Sequence, residues 1–124
     1  MRLLLDTHVF LWWRTDSRML KRAAKDAIAG ADVVFVSAAS AWEAAIKVAL
    51  GRLRIPASLE SGVVDSGFER LSVRFSHAEA AGALPPHHSD PFDRMLVAQA
   101  RHEDLVLVTA DRVMREYAVE VLWE

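Results

Sequence analysis

Four acidic residues of this 124-residue chain fall at positions where side chains can meet. Asp6 closes the apolar run 2–5. Glu43 lies early in the helix-like segment after DVVFVS (32–37). Asp93 sits three residues after Asp90 in SDPFDRMLVAQAR (89–101), and Asp111 follows LVLVT (105–109) after one residue. Each is at the C-terminal end of a strand-like run or in the first turns of a helix-like one. In a parallel α/β sheet those positions share one edge, the edge where ligands bind. Two carboxylates about 4 Å apart repel by roughly 4 kcal/mol at an effective dielectric of 20. A cluster of four therefore raises some pKa values or takes up a cation. Oxygen donors in a chain without cysteine suit a hard divalent ion, Mg²⁺ or Mn²⁺. Such an ion polarises a phosphoryl oxygen and positions water, which is the chemistry of phosphodiester hydrolysis.

Each acid also has an ordinary explanation. Asp6 and Asp111 suit helix caps, and Asp93 suits a first turn. Glu43 fits a capping box with Ser40, unless Ser37 is the cap, or an ion pair with Lys47 one turn on. Because Ser, Thr and Asn serve equally at caps, four acids at four such places favour a shared site.

The elements that must position them follow from periodicity. Residues 2–6, 32–37, 70–73, 104–109 and 119–122 read as strands, being short, apolar and β-branched. Residues 7–14, 18–30, 38–53, 57–67, 77–84, 91–103 and 111–117 read as helices. Trp42, Ile46, Ala49, Leu50 and Leu53 form the expected apolar stripe of the third. The helix at 91–103 has the strongest start, with Asp90 as cap, Pro91 at the first position and Asp93 in the first turn. Strands alternating with helices predict a single α/β domain over residues 1–124, with a mainly parallel central sheet flanked by helices.

Bulk properties set the boundaries. Hydrophobic residues make up 52% and charged residues 26%, a globular balance. The net charge of −2 excludes a basic tail, so nucleic acid would be met by local cations or through the metal. Asp6 and His8 interrupt the apolar N-terminus, so a signal peptide is not expected. Nothing approaches the ~20 apolar residues of a membrane span. With no cysteine, a cytoplasmic protein is the expectation.

LLLDTH (3–8), SAASAWEAAIK (37–47), HHSDPFDRMLVAQA (87–100) and LVTADRVMREY (107–117) occur in this order, and over nearly its whole length the chain resembles PIN-domain proteins of the VapC toxin type. The segment 54–84 is the least distinctive. The resemblance implies a Mg²⁺-dependent endoribonuclease that forms the toxin half of a toxin–antitoxin pair, with a small antitoxin as partner and a homodimeric state. It carries the catalytic and metal-holding roles to Asp6, Glu43, Asp93 and Asp111. Asp90 matches an additional acid of the metal site, and Thr109 matches a small hydroxyl residue beside it.

Several further residues have two readings. Lys47, Arg94 and Arg112, together with Arg14, are candidates for RNA phosphates or for solvated helix faces. His8, His87 and His88 flank the crevice, as general acid–base groups or as supporting side chains; His77 and His102 read as surface residues. Trp12, Trp13 and Trp42 suit packing better than base stacking, and Val9, Phe10, Trp12 and Trp13 offer an apolar contact for a partner. Two other functions compete. One is a phosphatase-like metal enzyme or a receiver domain; the former needs an Asp where His8 stands, and the latter lacks its paired acids and late Lys. The other is a non-catalytic acidic module that receives a partner's arginine.

Overall fold

The computed structural model describes residues 1–117, 119 and 121–123. Its strands are β1 (Arg2–Leu5), β2 (Val33–Ser37), β3 (Glu69–Leu71), β4 (Val106–Thr109) and β5 (Val121–Trp123). The helices are α1 (Thr7–Arg14), α2 (Arg22–Ala29), α3 (Ala38–Ala49), α4 (Leu59–Asp65), α5 (Phe75–Gly82) and α6 (Pro91–Glu103), with a 3-10 turn at Arg112–Glu116. All five strands pair in parallel in the order β3-β2-β1-β4-β5. The order reverses between β1 and β4, which is where a doubly wound sheet opens its crevice.

Side chains alternate across β1, so Leu3 and Leu5 face one layer and Leu4 the other. On the first face, Val9, Phe10, Ala24, Ile28, Ala44 and Val63 from α1–α4 cover the sheet. On the second, Ala81 of α5, Leu84 just beyond it, and Leu96, Val97 and Ala100 of α6 do so. Burial on both faces is why the strands read as continuous apolar runs. Register brings Leu5 opposite both Val36 and Val108, so β1, β2 and β4 end nearly level and deliver Asp6, α3 and Thr109 to one edge.

Several boundaries differ from the sequence reading. The α6 helix matches it, with Asp90 accepting from the backbone N–H groups of Phe92 and Asp93. The helix expected at 18–30 begins only at Arg22, because Ser17 caps a separate turn by accepting from Met19 N–H. The α3 helix stops at Ala49, short of residue 53. Gly51, at φ +72°, donates to Val48, and Arg52 donates to Lys47, a Schellman stop that needs the left-handed conformation glycine favours. In place of the helix expected at 111–117, Arg112–Glu116 form a 3-10 turn capped by Asp111. Of the expected strand 119–122, Glu120 lies outside the described residues, and the observed strand is Val121–Trp123.

The apolar stripe of α3 is the clearest correction. Trp42 is 66% exposed and Leu50 61% exposed, with Ile46 at 37%. The buried face is instead Ala39, Ser40, Glu43 and Ala44. Small side chains let α3 approach α1 and α6 closely, and that approach brings Glu43 inward. His77, expected at the surface, is fully buried, and its Nδ1 accepts from Arg74 N–H. Val9 and Phe10 are core residues too, so the partner contact expected there is left to Trp12 and Trp13.

Candidate active site

Three chain segments begin turns at the C-terminal edge of the sheet, and each is capped by an acid. Asp6 caps α1 by accepting from Val9 N–H, Asp90 caps α6, and Asp111 caps the 3-10 turn by accepting from Val113 N–H. The ordinary and the functional readings of these acids are thus compatible. A carboxylate has two oxygens, and capping engages one.

The second oxygens differ in what they meet. Asp6 Oδ2 accepts from the Thr109 hydroxyl at 2.5 Å, and that hydroxyl accepts from Asp111 N–H at 3.0 Å. Thr109 therefore ties the end of β4 to both acids, where a substrate-binding role was expected of it. Asp111 Oδ2 lies 2.8 Å from His88 Nε2, and Asp93 Oδ2 lies 3.0 Å from the same nitrogen. Asp93 accepts no cap bond, so its carboxylate is turned into the cluster.

Glu43 comes from a different layer. With Ser37 as the cap of α3, by a bond from Ala39 N–H, Glu43 stands beyond the first turn and closes no capping box. Ser40 instead accepts from the Thr7 hydroxyl at 2.8 Å, which joins α3 to the start of α1. Glu43 is 6% exposed; its Oε2 accepts from Lys47 Nζ at 3.0 Å. Its Oε1 is buried with no hydrogen-bond partner among the described residues. A buried carboxylate oxygen without a partner is costly unless something positive completes it.

The electrostatics agree. Burial raises the Asp6 carboxyl above the ordinary range, against the bonds from Thr109 and Val9, and Glu43 adds to the rise. Asp93 is pushed up to about 7, first by burial and then by the charge of Asp90, with Asp6 and Glu43 contributing and His88 opposing. Four acids, Asp6, Glu43, Asp90 and Asp93, thus act on one another in a partly dehydrated crevice, and Asp111 joins them at His88. Their donors are oxygens, their charge exceeds that of the single Lys47 paired within the cluster, and one buried oxygen lacks a partner. This is a fit for a hard divalent cation.

The remaining expected residues separate cleanly. Asp90 Oδ1 is committed to two backbone N–H groups, which makes it first a cap. Arg94 is turned away from the crevice. Its guanidinium donates to the carbonyls of Ala81, Leu84, Pro85 and His88 and to the Tyr117 hydroxyl, stapling the loop 83–90 onto α6. The phosphate-binding role expected of Arg94 gives way to that staple, because planar forks bind carbonyls in several directions at once. Arg112 is exposed at the start of the 3-10 turn. Sequence reasoning missed Tyr117, whose hydroxyl accepts from His88 N–H at 2.8 Å and so sets the height of His88. Nothing in the local pattern signals it, since the partner lies 29 residues away.

The sequence pattern of the PIN domain matches residues 3–120. Ribonuclease VapC22 of Mycobacterium tuberculosis is 33% identical over 117 residues, covering 92% of this chain and 90% of that protein. Among solved structures, the VapBC2 complex of Rickettsia felis bound to a promoter DNA fragment superposes with a TM-score of 0.72 at 13% identity, over all of both chains. A DNA-bound VapBC from Salmonella typhimurium gives 0.66 at 16% identity, over 98% and 97% of the two chains.

Proposed function

The chain belongs to the PIN domain family, and we propose that it is a metal-dependent endoribonuclease acting as the toxin of a toxin–antitoxin pair. Residues 1–124 are read as one such domain. The observation that carries the reading is the convergence of Asp6, Glu43, Asp93 and Asp111 at the β1–β4 switch point, with the buried Oε1 of Glu43 unpartnered. These four carboxylates would hold the ion, Mg²⁺ with Mn²⁺ as a substitute, and Asp90 would add charge from its cap position. When bound, the cation supplies Lewis-acid polarisation of a phosphodiester oxygen and lowers the pKa of water.

The chain's own residues do the rest. Thr109 fixes the Asp6 carboxylate and orients the turn that presents Asp111. Lys47, held on Glu43, and Arg112, exposed beside Asp111, offer positive charge to the flanking RNA phosphates. The raised pKa of Asp93 reflects burial first and then the charge of neighbouring acids, and a cation on the carboxylates would offset both.

The named relatives also support the partners. The VapC-type relatives are solved as complexes with their partners, and a small antitoxin is the partner we assign here. A cavity of about 540 Å³ between α1 and α4, lined by Leu11, Trp12, Leu53, Ile55 and Leu59, is a suitable seat for it. The exposed stripe Trp42–Ile46–Leu50 on α3 suits a second copy of the chain. Among the described residues no helix is long and apolar enough to cross a membrane, and the cytoplasm is the place we assign.

The test is incubation of the purified protein with transfer, ribosomal and messenger RNA fragments, with and without Mg²⁺. Cleavage that appears with Mg²⁺ and stops in excess chelator is expected. No cleavage at any Mg²⁺ or Mn²⁺ concentration would leave an acidic binding module.

A further inference from the structure

His88 stands where its ring nitrogens can be told apart. Nδ1 accepts a hydrogen bond from Asp90 N–H at 3.1 Å. An imidazole nitrogen that accepts carries no proton, so the proton is on Nε2. That nitrogen lies 2.8 Å from Asp111 Oδ2, to which it donates, and 3.0 Å from Asp93 Oδ2, which stands beside the same N–H. Spacing alone would also fit three groups around one ion. The bond at Nδ1 decides against it, because a His that ligates through Nε2 needs its proton on Nδ1, where it would face the N–H of Asp90. The backbone of His88 is held by Tyr117 and its carbonyl by Arg94.

We propose that His88 is a positioning residue: its Nε2–H and a divalent cation are alternative occupants of the Asp93–Asp111 pair. This rests on the metal reading above. The N–H presents its positive end to the two Oδ2 atoms, and a cation on those oxygens would meet that positive end at close range. One displaces the other. His88 then keeps the two carboxylates gathered at their working separation until the ion arrives, and it sets the threshold the ion must overcome.

The sign of one measurement separates a donor from a ligand. Removing the Nε2 donor destabilises the His-bridged state and leaves the cation-held state untouched, so by linkage the cation binds more tightly. Removing a ligand weakens binding. His88→Asn is the sharp variant, since its Oδ1 can replace Nδ1 as acceptor for Asp90 N–H while nothing reaches the acids. His88→Gln places an amide donor near the lost Nε2. Mn²⁺ would be titrated calorimetrically into the chelator-treated protein, with melting temperatures recorded in chelator and at saturating Mn²⁺. For His88→Asn, Mn²⁺ affinity should rise roughly tenfold, the scale of one hydrogen bond to a charged group. Its melting temperature should fall in chelator and recover with Mn²⁺, and His88→Gln should return both readouts toward wild type. Weaker Mn²⁺ binding by His88→Asn would make His88 a ligand and overturn the proposal. Unchanged affinity and melting temperature would also overturn it. Should the variants fail to fold, ring ¹⁵N spectra of the wild type decide. Nε2 should stay protonated as Mg²⁺ is added, and its loss of that proton would refute the donor role. A wild type that takes up no Mn²⁺ contradicts the metal reading itself, whereas uptake with the wrong sign contradicts only the role of His88.

Discussion

The two ends of α6 carry the same kinds of residue and do different things. At the N-terminal end, His88 meets Asp93 and Asp111; at the C-terminal end, His77 and His102 meet Glu103. In both places a backbone N–H occupies Nδ1 of the inner histidine and leaves Nε2 to face carboxylate. At the first end Nε2 has two carboxylates within 3.0 Å. At the second it has one at 3.9 Å, and Nε2 has no hydrogen-bond partner among the described residues. The difference lies in the sheet. The first end sits at the switch point beyond the C-terminal ends of β1 and β4, where capped turns bring Asp6 and Asp111 beside Asp93. The second end sits at the opposite edge, where Glu103 is joined by its carbonyl to Arg2 and by no further acid of the cluster. A His–acid cluster becomes a candidate metal centre when its negative charge outruns what the protein itself can neutralise.

The sharpest way to break this comparison is to remove one charge from each end. Asp93→Asn should lower RNA cleavage by at least roughly tenfold, about 1.4 kcal/mol in the barrier, and weaken Mg²⁺ dependence. Glu103→Gln should leave the cleavage rate within about twofold of wild type, a surface-type change. Equal losses in cleavage assays of the two variants would erase the distinction.

The two ends also predict opposite responses to pH. Asp93 has a folded pKa of about 7 against an ordinary value of 3.8, so the folded state keeps a proton that the unfolded state releases. Its contribution is fully present below pH about 4 and is lost as pH rises to about 7. Asp6, also raised, works in the same direction. His77 is lowered from 6.5 by burial, so the folded state resists its protonation and stability falls as pH drops below that value. In chelator, melting curves of Asp93→Asn should lose much of the decline between pH 4 and 7 and keep the His77 limb. At pH 8, this variant should melt at or above wild type. An unchanged decline in the variant would mean that Asp93 is not the crowded acid.

Much of this was legible in the residues, and the failures have physical causes. The boundaries of α6 were readable because Asp90, Pro91 and Asp93 act locally, within one turn. Convergence of the acids was readable because a parallel sheet places all strand C-termini on one edge. The exposed stripe of α3 was misread because periodicity gives a helix two faces but does not say which meets the core. Ala39, Ala44 and Glu43 form the inner one. The bridge at His88 and the staple at Arg94 were not readable, since each depends on a loop folding against residues far away in sequence.

Two smaller effects sharpen the contrast between cap and cluster. Arg94→Lys removes most of the fork that holds loop 83–90, and should destabilise the fold by about 1–3 kcal/mol in denaturant melts. Cleavage should then fall mainly through displacement of His88 and Asp90. Asp90→Asn should be milder still. Asn caps about as well as Asp, so stability should change by less than about 0.5 kcal/mol, and metal-dependent cleavage should persist. A larger loss of cleavage in Asp90→Asn than in Asp93→Asn would reverse the two assignments.

The central claim is that the ion belongs at the N-terminal end of α6 and not at the other. Anomalous scattering from a crystal of the protein soaked in Mn²⁺ tests it most directly. The account predicts one manganese site, or two adjacent ones, bonded to carboxylate oxygens from Asp6, Glu43, Asp93 and Asp111, with Glu43 Oε1 turned toward it. Manganese bound among His77, His102 and Glu103 instead, or no manganese among the four acids, would contradict it.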